Sequence, residues 1–127
     1  VLRADRFLAE LAGFEERGDF PNFTIVYLPN DHTSGTSPGA PTPRAQVADN
    51  DLALGRVVDG ITHSRFWPTT CIFIIEDDPQ AGFDHVDGHR SLCLVVSPYT
   101  ARGEVVSEFY IRRACCTRWS AFSGCHR

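Results

Sequence analysis

Apolar positions Phe7, Leu8, Leu11 and Phe14 recur within residues 3–16 at the three-and-four spacing of a short amphipathic helix. Arg17-Gly18-Asp19 ends that pattern, and Pro21-Asn22 leads into Phe23–Leu28, a β-branched and aromatic run that predicts a strand. Residues 33–43 are rich in Ser, Thr, Gly and Pro and predict a loop. Thr42 then offers a cap and Pro43 a first helical position. Val47, Leu54, Val58 and Ile61 repeat at helical spacing to about residue 63, and Phe66-Trp67-Pro68 reads as an aromatic corner over the core. Cys71–Ile75 is a continuous apolar run that predicts a strand buried on both faces, and Ser91–Ser97 predicts another, ended by Pro98-Tyr99. Gly103 marks a turn, with a short strand or helix entry at 105–110. Strand, helix and strand over residues 23–75 make a βαβ unit, expected to be right-handed with parallel strands.

Chemistry gathers at the ends of the predicted strands. Ile72–Ile75 runs straight into Glu76, Asp77 and Asp78; a Pro/Gly turn follows, and then Asp84, His85, Asp87 and His89. Phe23–Leu28 runs into Pro29-Asn30-Asp31-His32. Ligands in open α/β sheets bind beyond the carboxyl ends of the strands, so parallel strands would bring Asp31/His32 and Asp77/Asp78 to one edge. Crowded carboxylates in a partly buried site need cations, protonation or water. A divalent metal ion meets that need, because carboxylate and imidazole are common ligands. The plainer alternative for Glu76–Asp78 is a solvated loop, and for His85 and His89 two surface residues. Asp49 and Asp51 fit a helix-dipole role in the first half of their helix, and His63 fits a structural one.

The length of 127 residues suits one domain or a piece of one, and 43% hydrophobic residues suffice for a core. The formal net charge of -4 gives no basic footprint for nucleic acid, and no stretch has the length of a membrane span. No signal-peptide pattern opens the sequence. It begins abruptly at Val1 in helix-like residues, so a preceding N-terminal part is expected. Cys71 and Cys93 lie in apolar runs and read as small core residues, and the five cysteines fit neither a disulfide framework nor a zinc ribbon.

The segments LPNDHTSGT, VADNDLALGRVVDGITHSRFW, IFIIEDDPQAGFDHVDGHRS and LVVSPYTARG together resemble the C-terminal half of the phosphoesterase family of the alkaline phosphatase superfamily. That family takes in phospholipase C-like and acid phosphatase-like enzymes, and proteins in which this domain follows a β-propeller. The resemblance covers about residues 5–111. It implies that residues 1–111 are the C-terminal part of a three-layer α/β/α domain with a largely parallel sheet. It further implies one or two divalent metal ions (Zn, Mn, Fe or Ca) and a phosphate-ester substrate. A Ser or Thr nucleophile would be phosphorylated and then hydrolysed, the metals polarising phosphoryl oxygens. Asp77 follows Asp31 by 46 positions, in keeping with the family's spacing. By resemblance, Asp77 and Asp78 are ligands of one metal and Asp31 and His32 of the other. His85 is a ligand or a phosphate-side proton donor, and His89 a further ligand. The resemblance also implies a secreted or periplasmic parent, with a β-propeller or other half-domain before this segment.

Two departures shape the functional expectation. The family places its nucleophile well before the acid–histidine pair, and the 30 residues ahead of Asp31 read as a helix and a strand. A phosphoric ester hydrolase fragment, inactive alone, is therefore the leading expectation. The alternatives are a sulfatase- or phosphoglycerate mutase-like member of the superfamily, and a non-catalytic metal- or anion-binding remnant. The second departure is residues 112–127, which lack helical period and carry Cys115, Cys116 and Cys125. Codons compatible with Arg118–Arg127, read two bases later, encode Met-Glu-Arg-Leu-Leu-Gly-Leu-Pro-Pro, close to the turn the family carries there. The tail is therefore expected to be a frameshift product without packing of its own.

Overall fold

A computed structural model of the chain describes residues 2–79, 86 and 91–108. Two compact units divide the chain, residues 1–69 and 70–127. His85, His89, Asp84, Asp87 and the tail 112–127 lie outside the described residues.

The first unit is a pair of packed helices, α1 (Leu2–Arg17) and α2 (Pro43–Thr62). The end of α1 is set by Gly18, whose φ of 68° is the left-handed conformation that a residue without Cβ adopts freely. Gly18 N–H donates to Glu15 O and Asp19 N–H to Phe14 O, the paired bonds that close a helix at such a glycine. The start of α2 is as its sequence predicts: Thr42 Oγ1 accepts from Ala45 N–H, and Pro43 opens the helix. At its far end His63 is the C-cap, and its Nδ1 lies 2.8 Å from Asp59 O. That is the structural role expected of His63, with a partner one turn back.

Ala4, Phe7 and Leu11 of α1 are buried, as are Ala53, Val57 and Ile61 of α2. The buried stripe of α2 is offset by one residue from the expected one. Val47 is exposed and Leu54 and Val58 only half-buried, while Gln46, Ala53 and Val57 are buried. The small side chain of Ala53 and the bare Cα of Gly60 explain the choice of face. A Cβ on Gly60 would run into Leu8 Cδ2 of α1, so the helices approach closely there. Phe14, Phe20 and Phe66 extend the packing: Phe14 meets Phe20 edge-on at 5.5 Å, and Phe20 stacks on Phe66 at 5.0 Å. The aromatic corner expected at Phe66 thus covers the end of the helix pair. Arg65 N–H donates to Glu15 Oε1 nearby.

The strand expected at Phe23–Leu28 has no ladder partner among the described residues. Instead Arg3 Nη1 donates to the Tyr27 carbonyl, and the guanidinium lies 5.2 Å from the centre of the Tyr27 ring. Phe23, Ile25 and Tyr27 are exposed. A helix side chain thus takes a carbonyl that a neighbouring strand would otherwise use.

In the second unit β1 (Ile72–Ile75) pairs antiparallel with β2 (Cys93–Val96), with Ile72 opposite Val96 and Ile75 opposite Cys93. Both strands fall where the apolar runs predict them. Their pairing is antiparallel, and no parallel pair occurs among the described residues. Neither strand is buried on both faces: Ile72–Ile74 are half-buried, while Ile75, Leu94 and Val95 are exposed. A two-stranded ribbon by itself leaves its strands largely accessible, which is the physical reason the expected burial is not reached among the described residues. Cys71 is half-buried and Cys93 exposed, so Cys93 is not a core residue; neither is in a disulfide. Among the described residues no helix is long and apolar enough to cross a membrane.

Two stability measurements check this packing. Gly55 has open space around the position of a Cβ, so Gly55→Ala should stabilise the chain by about 1 kcal/mol through helix propensity. Gly60→Val should destabilise it by about 1–3 kcal/mol through overpacking against Leu8. Thermal or urea denaturation reads both, and equal shifts would contradict the close approach at Gly60. By the same measurement, Thr42→Ala should cost about 1 kcal/mol, because Ala45 N–H loses its acceptor.

Candidate functional site

In the first unit the candidate residues sit on a short 3-10 turn, Pro29–His32, that packs against α2. Leu28 enters it extended, and Pro29 supplies a fixed φ at its start. Asp31 is half-buried and His32 exposed, so both side chains of the pair reach solvent. His32 Nδ1 lies 3.2 Å from Thr33 O. A carbonyl can only accept, so Nδ1 carries the proton in that contact. When such a ring is neutral, Nε2 is the nitrogen open to a cation, the arrangement common to metal-binding histidines.

The turn is fixed by polar groups from α2. Asn30 N–H donates to Asn50 Oδ1 at 3.3 Å, and Asn30 Nδ2 donates to Asp49 Oδ2 at 2.8 Å. On the far side Ser34 N–H donates to Gln46 Oε1 at 2.7 Å, and Gln46 Nε2 donates to Ser34 Oγ at 3.1 Å. Between these anchors Thr33 has φ 60° and ψ 167°. Positive φ is unusual for a β-branched residue and costs of order 1–3 kcal/mol. Thr33 Oγ1 accepts from Gly35 N–H, which gives back part of that cost. A cleft of about 410 Å³ behind the turn is lined by Asn30, Asp49, Asn50 and Ala53 among others, but not by Asp31 or His32.

Sequence reasoning passed over three of these residues. Gln46 was hidden because a polar residue does not enter an apolar period. Asp49 suits the helix dipole, yet its carboxylate has a partner, Asn30. Asn50 carried no signal by itself. The available clue is the spacing of 46, 49 and 50, which puts three amide or carboxylate side chains on one helix face.

In the second unit Asp77 and Asp78 follow β1 directly, and both are exposed. Asp78 N–H donates to the preceding carboxylate, Asp77 Oδ1, at 3.1 Å. Glu76 N–H continues the ladder to Leu92 O, and Ser91 Oγ donates to Glu76 O at 2.9 Å. The ladder thus holds Glu76 and leaves the two aspartates beyond the strand end. Their exposure differs from the expectation of a partly buried acid cluster. Burial pushes the Cys71 thiol up, which disfavours the reactive thiolate.

A metal ion suits the donor chemistry of Asp31 with His32 and of Asp77 with Asp78. No group of three potential ligands converges among the described residues. Each pair would therefore need further donors, and His85 and His89 lie outside the described residues. No family model, no curated protein and no solved structure matches this chain.

Proposed function

We propose that the chain is part of a metal-dependent hydrolase of phosphoric esters, the C-terminal portion of an alkaline phosphatase-like α/β/α domain. One observation carries the reading: the turn bearing Asp31 and His32 is held in a strained backbone conformation by side chains from a neighbouring helix. Strain that the surroundings over-determine is typical of functional sites. The contact of His32 Nδ1 with Thr33 O supports a ligand role through Nε2. The placement of Asp77 and Asp78 directly after β1 supports a second ligand pair. Exposed Phe23, Ile25, Tyr27, Leu94 and Val95 are apolar surface of the kind a larger domain covers. Mixed sheets commonly carry antiparallel pairs, so the β1–β2 ribbon is compatible with such a domain.

In this reading Asp31 and His32 hold one divalent cation, and Asp77 and Asp78 hold a second, with His85 and His89 as further ligands or proton donors. Bound cations would polarise the phosphoryl oxygens and neutralise developing charge. The carboxylates of this chain would fix the cations, and by the same resemblance the nucleophile would lie well before Asp31 in the parent. A non-catalytic metal- or anion-binding role is the second reading.

Metal titration of the 127-residue chain tests the proposal. Manganese or zinc should raise the thermal midpoint, with a stabilisation of about 2.7 kcal/mol at a hundredfold excess over Kd. Asp31→Ala with His32→Ala should remove part of that response, and Asp77→Ala with Asp78→Ala another part. Orthovanadate should bind only when metal is present. No stabilisation by manganese, zinc, iron or calcium would overturn the proposal; metal binding without vanadate binding would favour a plain metal-binding module.

A further inference from the structure

Phe23–Leu28 carries neither helix nor turn, and none of its residues has a positive φ. Exposure alternates along it as in a strand: Ile25 and Tyr27 face solvent, while Val26 and Leu28 are half-buried. In a strand the main-chain groups of residues 23, 25 and 27 point one way and those of 24 and 26 the other. Arg3 takes the carbonyl of Tyr27, which leaves the edge formed by Thr24 and Val26. Neither of these two has a main-chain hydrogen bond among the described residues.

Sheet edges are ordinarily guarded against pairing by charge, proline or a bulge. From Phe20 to Asn30 no residue is charged, and Phe23–Leu28 contains neither proline nor glycine. Residue types also repeat about Ile25: Thr24 mirrors Val26, Phe23 mirrors Tyr27, and Pro21 mirrors Pro29. Only the marginal Asn22 and Leu28 differ in kind. Two copies paired antiparallel about Ile25 would therefore set aromatic against aromatic and β-branched against β-branched, the cross-strand pairs that stabilise sheets. The proline at each end stops the ladder, because it has no N–H to donate.

We propose that Phe23–Leu28 is a self-association surface, where two copies of this chain pair edge to edge about a two-fold axis at Ile25. Thr24 of each copy exchanges both main-chain hydrogen bonds with Val26 of the other. Ile25 meets Ile25 as the closer pair that makes no hydrogen bond, and Tyr27 O stays with Arg3. Such an interface is isologous and closes at two copies. Phe23, Ile25 and Tyr27 are 55%, 77% and 60% exposed. At about 200 Å² for each whole side chain they offer at most roughly 700 Å² per pair of copies, short of the ~1,200 Å² of a stable interface. The dimer is therefore weak and concentration-dependent. It forms without any metal ion.

Sedimentation of the 127-residue chain over a wide range of concentration tests this, with reductant present so that the exposed Cys93 forms no disulfide. The mean mass should rise from 14.1 kDa toward twice that value and no further. Amide exchange should slow with concentration at Thr24 and Val26 and stay constant at Ile25. Ile25→Lys sets like charges against each other on the axis and should weaken association roughly a hundredfold or more. Ile25 is exposed, so this variant should keep the thermal midpoint. Leu94→Lys, at an exposed apolar residue of β2, should leave association unchanged. A mass of 14.1 kDa at every concentration would overturn the proposal. A mass growing past the dimer would do the same, as would association lost in Leu94→Lys and kept in Ile25→Lys.

Discussion

The close contact between α1 and α2 is the constraint on which the first unit depends. Six hydrophobic side chains are buried among the described residues, all of them on these two helices. Two are alanines, and Gly60 adds a third position with little or no side chain. Small residues bring helix axes together, and larger neighbours such as Phe7, Leu11, Val57 and Ile61 fill the space around them. With so few buried groups, each contributes a large part of the favourable term, of order 1.5–3 kcal/mol for a large apolar side chain. The Asp5–Arg56 ion pair at 2.6 Å bridges the same helices, but both side chains are partly exposed and its worth is about 0–1 kcal/mol. Apolar packing, not charge, fixes how α2 is rotated about its own axis.

That rotation has a chemical consequence. Once Ala53, Val57 and Ile61 face α1, residues 46, 49 and 50 are committed to the face on which the Pro29–His32 turn lies. Their side chains end in oxygens and amide nitrogens, which match the polar groups a tight turn leaves unpaired. The helix thus links a hydrophobic core to a polar anchor, and the anchor to a strained turn carrying a carboxylate and an imidazole. The second unit is built differently. Its acids are delivered by the end of a short ribbon, and the ladder stops at Glu76, one residue before them.

Much of the local structure was legible in advance. The limits of α1, the Thr42 cap, the entry of Pro43, the end of α2 near His63 and both apolar strand runs were read where they occur. Each depends on chemistry within a few residues: a hydroxyl reaching an amide three positions on, a glycine that accepts positive φ. The acid–histidine pair at 31–32 and the acids at 77–78 were visible as residue types after apolar runs. Their settings were not. Asp77 and Asp78 face solvent, and Asp49 serves the turn rather than the helix dipole alone.

The sequence by itself determined where helices start and stop, which segments are apolar, and which residues carry chemistry, because those properties are set by near neighbours. Tertiary structure alone decided three things: the buried stripe at 46, 53 and 57, the absence of a ladder for Phe23–Leu28 among the described residues, and the antiparallel pairing of β1 with β2. Each depends on partners far along the chain, as Asn30 depends on Asn50 twenty residues away. An extended segment becomes a strand only when another backbone meets its donors and acceptors, and a helix buries whichever face its neighbour fits.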